Sequence, residues 1–92
     1  MEQKYRLVSP LGLKALIASL IVGVFNRFAS NTIFVKYNGE EADGKSILSL
    51  ITLLVKTGEE IVVAVEGDNP EAVYLMLDKI SEVSPTPILE KI

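Results

Sequence analysis

The alternation of apolar and polar residues along the chain predicts four β-strands. Residues 3–8 alternate up to a Ser-Pro break, and Thr32–Tyr37 is rich in β-branched and aromatic side chains. An Asn-Gly dipeptide follows, which favours a tight hairpin turn, so a short third strand is expected over Glu40–Asp43. Glu60–Glu66 alternates most clearly and is predicted to lie centrally in the sheet.

Apolar residues recur at helical spacing in three further segments. The first covers residues 14–28, and the second covers residues 46–55, with Ser46 in position to cap its start. The third begins after Asn69, with a proline and an acid in its first turn, and extends to about Val83. The resulting order, β-α-β-β-α-β-α, predicts an α+β open-faced sandwich in which three helices cover one face of a four-stranded antiparallel sheet.

The chain is expected to form one domain over residues 1–83, followed by a C-terminal tail over residues 84–92. A length of 92 residues suits a single compact core. The Ser-Pro-Thr-Pro stretch at residues 84–87 cannot continue the third helix. The sequence leaves open whether residues 88–92 pack back onto the domain or stay loose.

Composition and charge narrow the classes of partner. Hydrophobic residues make up 49% of the chain and charged residues 23%, which favours a packed core over disorder. The net charge is −3 and there is no cluster of lysine and arginine, so no nucleic-acid partner is expected. The longest apolar run, residues 15–25, is shorter than the roughly 20 residues that cross a bilayer, so no membrane partner is expected. The start of the chain lacks a targeting pattern, and a cytoplasmic location is expected.

Catalytic chemistry finds little support in the sequence. The chain has no histidine to act as a base near neutral pH and no cysteine to act as a nucleophile or thiolate ligand. Its acidic residues lie mostly at turns and strand ends, where carboxylates are usually solvated. We therefore expect a protein that is not an enzyme, with no catalytic residue, no metal site and no cofactor.

One enzyme-class alternative comes from the segment between Gly39 and Ser46, which matches the phosphate-loop pattern and lies between a predicted strand and a predicted helix. Glu40, Glu41 and Asp43 within it would repel a polyphosphate, because a phosphate loop binds anions through backbone N–H groups. Its first glycine also belongs to the predicted hairpin turn. These features oppose nucleotide binding, which stays open as an alternative.

Both of the first two helices carry more apolar residues than one face of a sheet can cover. In the first helix a second stripe, at a spacing of four, is predicted to be exposed: Leu16, Leu20 and Val24. In the second helix the predicted docking residues are Ile47, Leu48 and Ile51. We expect these residues to contact a protein partner, and the first helix to serve self-association as an alternative.

Two segments resemble the signature regions of the HPr family, the phosphocarriers of the bacterial sugar phosphotransferase system. Residues 12–18, Gly-Leu-Lys-Ala-Leu-Ile-Ala, are similar to the family's Gly-Leu-His-Ala-Arg-Pro-Ala. Residues 45–51, Lys-Ser-Ile-Leu-Ser-Leu-Ile, are similar to its Lys-Ser-Ile-Met-Gly-Leu-Met around a regulatory serine. The resemblance extends over about residues 2–83 and implies the same sandwich fold.

The departures from that pattern bear on function. Lys14 stands where the family has its phosphorylated histidine, Leu16 where it has an arginine, and Ile17 where it has a proline. A lysine side chain with the ordinary pKa of about 10.4 is protonated near neutral pH and has no lone pair for a phosphoryl group. Transfer of histidyl phosphate is therefore expected to be lost. An active phosphocarrier that uses Lys14 stays open as an alternative, which would require burial of the amine.

The resemblance also implies a regulatory role for Ser46. Some family members that lack the histidine, such as the HPr-like catabolite-repression paralogues, keep this serine and are phosphorylated there by HPr kinase. The expected partners are accordingly components of the phosphotransferase system or HPr kinase. The simpler interpretation of Ser46 is a helix N-cap, and the two roles are compatible.

Overall fold

A computed structural model of the chain describes residues 1–83 and 87–92. Within these residues five strands and three helices follow the order β1 Glu2–Leu7, α1 Ala15–Phe25, β2 Thr32–Tyr37, β3 Glu40–Asp43, α2 Ile47–Thr52, β4 Glu60–Glu66, α3 Pro70–Val83 and β5 Leu89–Lys91. The strands form one sheet in the order β3-β2-β4-β1-β5, and neighbouring strands are antiparallel. The predicted α+β sandwich is confirmed, with one strand more than expected.

The expected bounds of β2, β3 and β4 are confirmed, whereas two helices are shorter than predicted. Helix α1 ends at Phe25 and is capped by Asn26, and the following backbone forms a turn in which the Phe28 N–H donates to the Phe25 carbonyl at 3.1 Å. Helix α2 ends at Thr52. In both cases the apolar pattern continues past the helix because the residues that follow still pack against the core.

The fifth strand corrects the expected count of four. Strand β5 pairs antiparallel with β1, placing Leu89 opposite Leu7 and Lys91 opposite Tyr5. Ile88 is only 2% exposed, so the end of the expected tail packs back onto the domain. Burial of these two apolar side chains favours pairing over a loose end. The part of the predicted Ser-Pro-Thr-Pro break at residues 84–86 lies outside the described residues.

The core lies between one face of the sheet and the helices. Alternate residues of the three inner strands point into it: Tyr5 and Leu7, Ile33 and Val35, and Ile61, Val63 and Val65. The helices contribute Ile17, Ile21, Phe25, Leu50, Val73 and Leu77, among others. On β1, β2 and β4 the alternate positions carry exposed ion pairs, Arg6 with Glu60 at 3.2 Å and Lys36 with Glu2 at 2.8 Å. The alternation in the sequence thus sets which face of the sheet the helices cover.

Candidate functional site

Lys14 lies at the N-cap of α1 and is exposed to solvent. Its backbone is extended, with φ of −99° and ψ of −179°, and its carbonyl accepts the first helical hydrogen bond from the Ala18 N–H at 2.8 Å. The loop before it is fixed because the Leu13 N–H donates to the Val55 carbonyl at 3.2 Å. The fold therefore presents a primary amine at the surface, where α1 begins.

Two shallow hollows adjoin Lys14. One, of about 220 Å³, lies between the loop before α1 and the chain around Lys56. The other, of about 270 Å³, is bounded by Leu13, Ile51, Leu54 and Val55 together with both lysines. The charged residues that line these two hollows are lysines, so the surface beside Lys14 is apolar and cationic.

Ser46 caps helix α2, as the sequence predicted. Its hydroxyl oxygen accepts a hydrogen bond from the Ser49 N–H at 3.2 Å, and its carbonyl accepts one from the Leu50 N–H at 3.1 Å. The residue is partly exposed. Its hydroxyl is thus held at the helix start and remains in reach of solvent.

Lys45, whose contacts were not predicted from the sequence, fixes the start of α2. Its Nζ donates to the carbonyl of Phe28 at 2.8 Å and to that of Asn31 at 2.6 Å. Both carbonyls lie in the turn after α1, so this side chain ties the end of one helix to the beginning of the next. These contacts join residues 17 and 14 positions apart, and the local sequence pattern carries no signal for them.

The same contacts oppose nucleotide binding between Gly39 and Ser46. Gly39 turns the hairpin from β2 to β3 with φ of +81°. At Gly44 an added Cβ would lie 2.8 Å from Cγ2 of Ile33, which explains a glycine there by close packing. The lysine amine of the motif is already bound to two carbonyls. A hollow of about 480 Å³ beside β3 is lined by the carboxylates of Glu40, Glu41 and Asp43, which repel a polyphosphate.

The apolar stripe on α1 is exposed at two of its three predicted positions. Leu16 is 61% exposed and Leu20 is 44% exposed, whereas Val24 is buried at 5%. The prediction for Val24 was wrong, and helix geometry gives the reason. With 3.6 residues per turn, each step of four residues rotates by about 40°, so a stripe that starts in solvent reaches the core after two steps.

Helix α2 exposes most of its predicted docking residues and one that was missed. Leu48 is 72% exposed and Ile47 is 40% exposed, while Ile51 is half-buried against the core and borders the hollow beside Lys14. Leu54, directly after the helix, is 73% exposed with φ of +58°. Leu54 lies one residue past the C-cap, where a left-handed residue is common, and the predicted helix over residues 46–55 concealed this position.

The charges of this face differ from those of the whole chain. Residues 3–39 and 44–58 contain no acidic residue, although the net charge of the protein is −3. Lysine and arginine alone supply the charge of α1, α2 and their flanking loops: Lys14, Arg27, Lys45 and Lys56. We refer to the exposed residues Leu11, Leu16, Leu20, Ile47, Leu48 and Leu54 with Lys14 as the docking face. It combines apolar contact area with positive charge.

The described part of the chain contains neither a membrane-spanning helix nor a cluster of metal ligands. None of its helices has both the length and the apolar character needed to cross a membrane. Across the same residues, no group of three or more His, Cys, Asp and Glu side chains is arranged to hold a metal ion.

Comparison with known proteins finds one family. The family described as PTS-HPr, "PTS HPr component phosphorylation site", matches residues 1–83. The HPr-like protein Crh of Bacillus subtilis (strain 168) is 34% identical over 70 residues, which cover 76% of this chain and 81% of that protein.

Solved structures agree with this match. A phosphocarrier protein HPr from Bacillus anthracis str. Ames superposes with a TM-score of 0.76 at 29% identity, covering 83% of this chain and 89% of that one. Bacillus subtilis Crh superposes with a TM-score of 0.63 at 33% identity, covering 70% and 72% of the two chains. That Crh structure is described as an intertwined dimer with a swapped domain.

Proposed function

The chain belongs to the HPr family, and from this premise we propose that it is a protein-interaction module of the phosphotransferase system that no longer carries histidyl phosphate. The observation that carries this proposal is the docking face, which combines exposed leucines with Lys14 and has no acidic member. A cytoplasmic regulator that is not itself a catalyst fits this surface.

The loss of carrier chemistry rests on the side chain at position 14. We align Lys14 with the phosphohistidine of the family, and the structure places its side chain at the exposed surface. A protonated amine has no lone pair with which to attack phosphorus, whereas a neutral imidazole has one. Leu16, in place of the family's arginine, also removes a donor for the phosphate oxygens.

The partner is expected to be a protein whose contact surface is apolar and acidic. Leu16 and Leu48 are each more than 60% exposed, and burying one such side chain contributes about 1.5–3 kcal/mol. Carboxylates on the partner would meet Lys14 and Lys56 at the rim, where complementary charge accelerates association and selects the partner. Components of the phosphotransferase system and HPr kinase are the proposed partners.

We further propose that phosphorylation of Ser46 regulates this docking. The hydroxyl is partly exposed at the start of α2, next to Ile47 and Leu48. A phosphate adds a charge of about −1.5 to −2 at neutral pH, which opposes the positive charge of the docking face. Phosphorylation is therefore expected to weaken binding of an acidic partner.

Self-association through α1 is a second proposal, supported by the exposure of Leu16 and Leu20. Two cationic faces repel one another, so a dimer of this kind is expected to strengthen with added salt. Sedimentation across a range of protein concentrations tests it, and Leu16→Ser is expected to shift any dimer towards the monomer. A monomer at every concentration would contradict it.

The phosphotransfer part of the proposal is tested with two purified donors. Incubation with enzyme I and labelled phosphoenolpyruvate is expected to leave the protein unlabelled, and phosphate on Lys14 would overturn the loss of carrier function. Incubation with HPr kinase and ATP is expected to place phosphate on Ser46, as detected by mass spectrometry. Ser46→Ala is the matched control. If Ser46 of the natural sequence stays unmodified, the proposed regulation is overturned and only the binding role remains.

A further inference from the structure

The C-terminal segment borders an apolar groove beside α1. The groove has a volume of about 330 Å³ and runs between the loop at Pro10 and Leu11 and the helix residues Leu16 and Leu20. Part of its floor is Ile88. That residue lies beyond residues 1–83, the part of the chain that the family matches.

Strand β5 holds Ile88 in place. The Ile88 carbonyl accepts hydrogen bonds from the N–H groups of Val8 at 3.0 Å and of Ser9 at 3.3 Å. On its other side β5 is tied to α3, because the Lys91 Nζ lies 3.2 Å from a carboxylate oxygen of Asp78. The floor of the groove is thus fixed to both β1 and the third helix.

The rim of the groove is exposed apolar surface. Leu11 is 52% exposed, Leu16 is 61% exposed and Leu20 is 44% exposed, whereas Ile88 is 2% exposed. Three exposed leucines around a buried floor leave a concave surface that is able to enclose an apolar side chain. An isolated exposed leucine is common on protein surfaces, but a contiguous apolar patch marks a contact site.

We propose that this groove receives an apolar side chain from an acidic protein partner, so that β5 and Ile88 help to select what the docking face binds. The inference rests on the proposed docking function and adds a specificity element to it. Residues appended after the third helix thereby contribute to recognition on α1.

The charge of the surface around the groove indicates which kind of ligand binds there. Pro10 and Leu11 border both this groove and the hollow beside Lys14, so the two adjoin. Among the residues that the structure describes, the lining of the groove carries no charge, and the sequence has no acidic residue from 3 to 39. A ligand with an apolar side chain flanked by carboxylates fills the groove and meets the lysine. A cationic ligand gains nothing from the second contact.

The test uses the full chain with labelled isoleucine and leucine methyl groups, observed by nuclear magnetic resonance. The probe is a synthetic helical peptide with leucines on one face flanked by glutamates. We expect the methyl signals of Leu16, Leu20 and Ile88 to shift on titration. Control peptides replace the leucines by alanine or the glutamates by lysine, and both are expected to leave these signals unchanged.

A matched pair of variants measures how much the groove contributes to the affinity for the peptide. Leu20→Ser is expected to weaken binding of the peptide about tenfold or more, since the transfer free energy of one leucine is lost. Leu75→Ser, at a leucine on α3 that is 61% exposed, is expected to leave the affinity unchanged. Equal weakening by both variants would overturn the proposal.

The pattern of shifts separates this inference from the function on which it rests. Shifts at Leu48 and Leu54 without shifts at Leu20 and Ile88 overturn the groove and leave docking through α2 intact. The absence of shifts at any methyl group overturns the groove as well, while the phosphotransfer assays test the function independently. Binding to anionic lipid vesicles in place of the peptide also overturns it.

Discussion

The rings of Tyr5 and Tyr74 lie 6.5 Å apart in the core, yet their hydroxyl groups have opposite surroundings. The Tyr74 hydroxyl is hydrogen-bonded to the carbonyl oxygens of Met1 at 2.8 Å and of Val63 at 2.9 Å. The Tyr5 hydroxyl is buried without a hydrogen-bond partner among the described residues. Burial raises the pKa of the Tyr5 hydroxyl above its ordinary value, with Asp78 adding to the shift, so the group is neutral.

Replacing Tyr5 by phenylalanine is expected to stabilise the fold. A buried hydroxyl without a partner costs about 1–3 kcal/mol, and Tyr5→Phe removes it while keeping the ring. We expect the free energy of unfolding to rise by about 1 kcal/mol, as measured by urea denaturation. Tyr74→Phe is the matched control and is expected to lower that free energy by about 1 kcal/mol. Equal effects of the two variants would contradict the assignment.

Replacing Leu54 by glycine is expected to stabilise the protein and weaken docking. Leu54 has φ of +58°, a left-handed conformation that costs a residue with a side chain about 1–2 kcal/mol. Because the side chain is 73% exposed, Leu54→Gly loses little packing, and the free energy of unfolding should rise by about 1 kcal/mol.

Leu48→Gly provides the control for Leu54→Gly. Leu48 is 72% exposed but lies within α2, where glycine costs about 0.5–1 kcal/mol. Thermal unfolding should therefore shift upward for Leu54→Gly and downward for Leu48→Gly. If both variants lose stability, the backbone of Leu54 is not strained.

Replacing Lys45 by methionine is expected to loosen the junction of α1 and α2. The variant loses two hydrogen bonds from a charged donor to the carbonyls of Phe28 and Asn31, and bonds of this kind contribute about 1.5–3 kcal/mol. We expect the free energy of unfolding to fall by about 2 kcal/mol. Lys14→Met, at an exposed position, should change it by less than about 0.5 kcal/mol. A neutral result for Lys45→Met would show that the two bonds add nothing.

The pair of Tyr37 and Glu59 predicts a pH-dependent part of stability. The Tyr37 hydroxyl donates to a carboxylate oxygen of Glu59 at 2.6 Å, and the Lys56 N–H donates to the other at 2.8 Å. The bond from Tyr37, and then that from Lys56, lowers the pKa of the Glu59 carboxyl below 4.5. Because the pKa of Glu59 is lower in the folded state than in the unfolded state, its ionisation stabilises the fold at pH values above the unfolded-state pKa. This contribution is lost as the pH falls through the folded-state pKa.

Tyr37→Phe is therefore expected to destabilise the protein near neutral pH and to have a smaller effect in acid. The free energy of unfolding of the wild type and of the variant is measured by urea denaturation as the pH is lowered from 7 through 4.5. The two free energies should converge below pH 4.5. Glu59→Gln, which cannot ionise, should remove this convergence. A constant difference at every pH would assign the effect of Tyr37 to packing instead of charge.

Periodicity was enough to predict the sheet because each inner strand is buried mainly on one face, although Ala64 on the other face of β4 is also buried. Alternation in Glu60–Glu66 and the Asn-Gly turn before Glu40 fixed the bounds of three strands to the residue. The fifth strand escaped prediction because three residues, Leu89–Lys91, are too few to show a period. Its position depends on pairing with β1, at the other end of the chain.

The candidate site was predictable where local rules apply and not where distant segments meet. The cap at Ser46 follows from residue type and position alone. The contacts of Lys45 and the place of Ile88 depend on how the helices pack, which a short window of sequence does not contain. The predicted exposure of Val24 was wrong for a simpler reason, because a spacing of four does not keep residues on one side of a helix.

Variants of Ser46 separate its structural role from its proposed regulatory role. Ser46→Ala removes the acceptor for the Ser49 N–H and is expected to lower the free energy of unfolding by about 1 kcal/mol. Ser46→Asp keeps a capping oxygen and should retain wild-type stability, yet it places negative charge beside Leu48 on the docking face. In a binding assay, the acidic helical peptide should bind the wild type and Ser46→Ala with higher affinity than Ser46→Asp. Only Ser46→Asp adds a negative charge that repels the partner. Weakening by Ser46→Ala equal to that by Ser46→Asp would instead trace the effect to loss of the cap, and would leave phosphorylation without a route to docking.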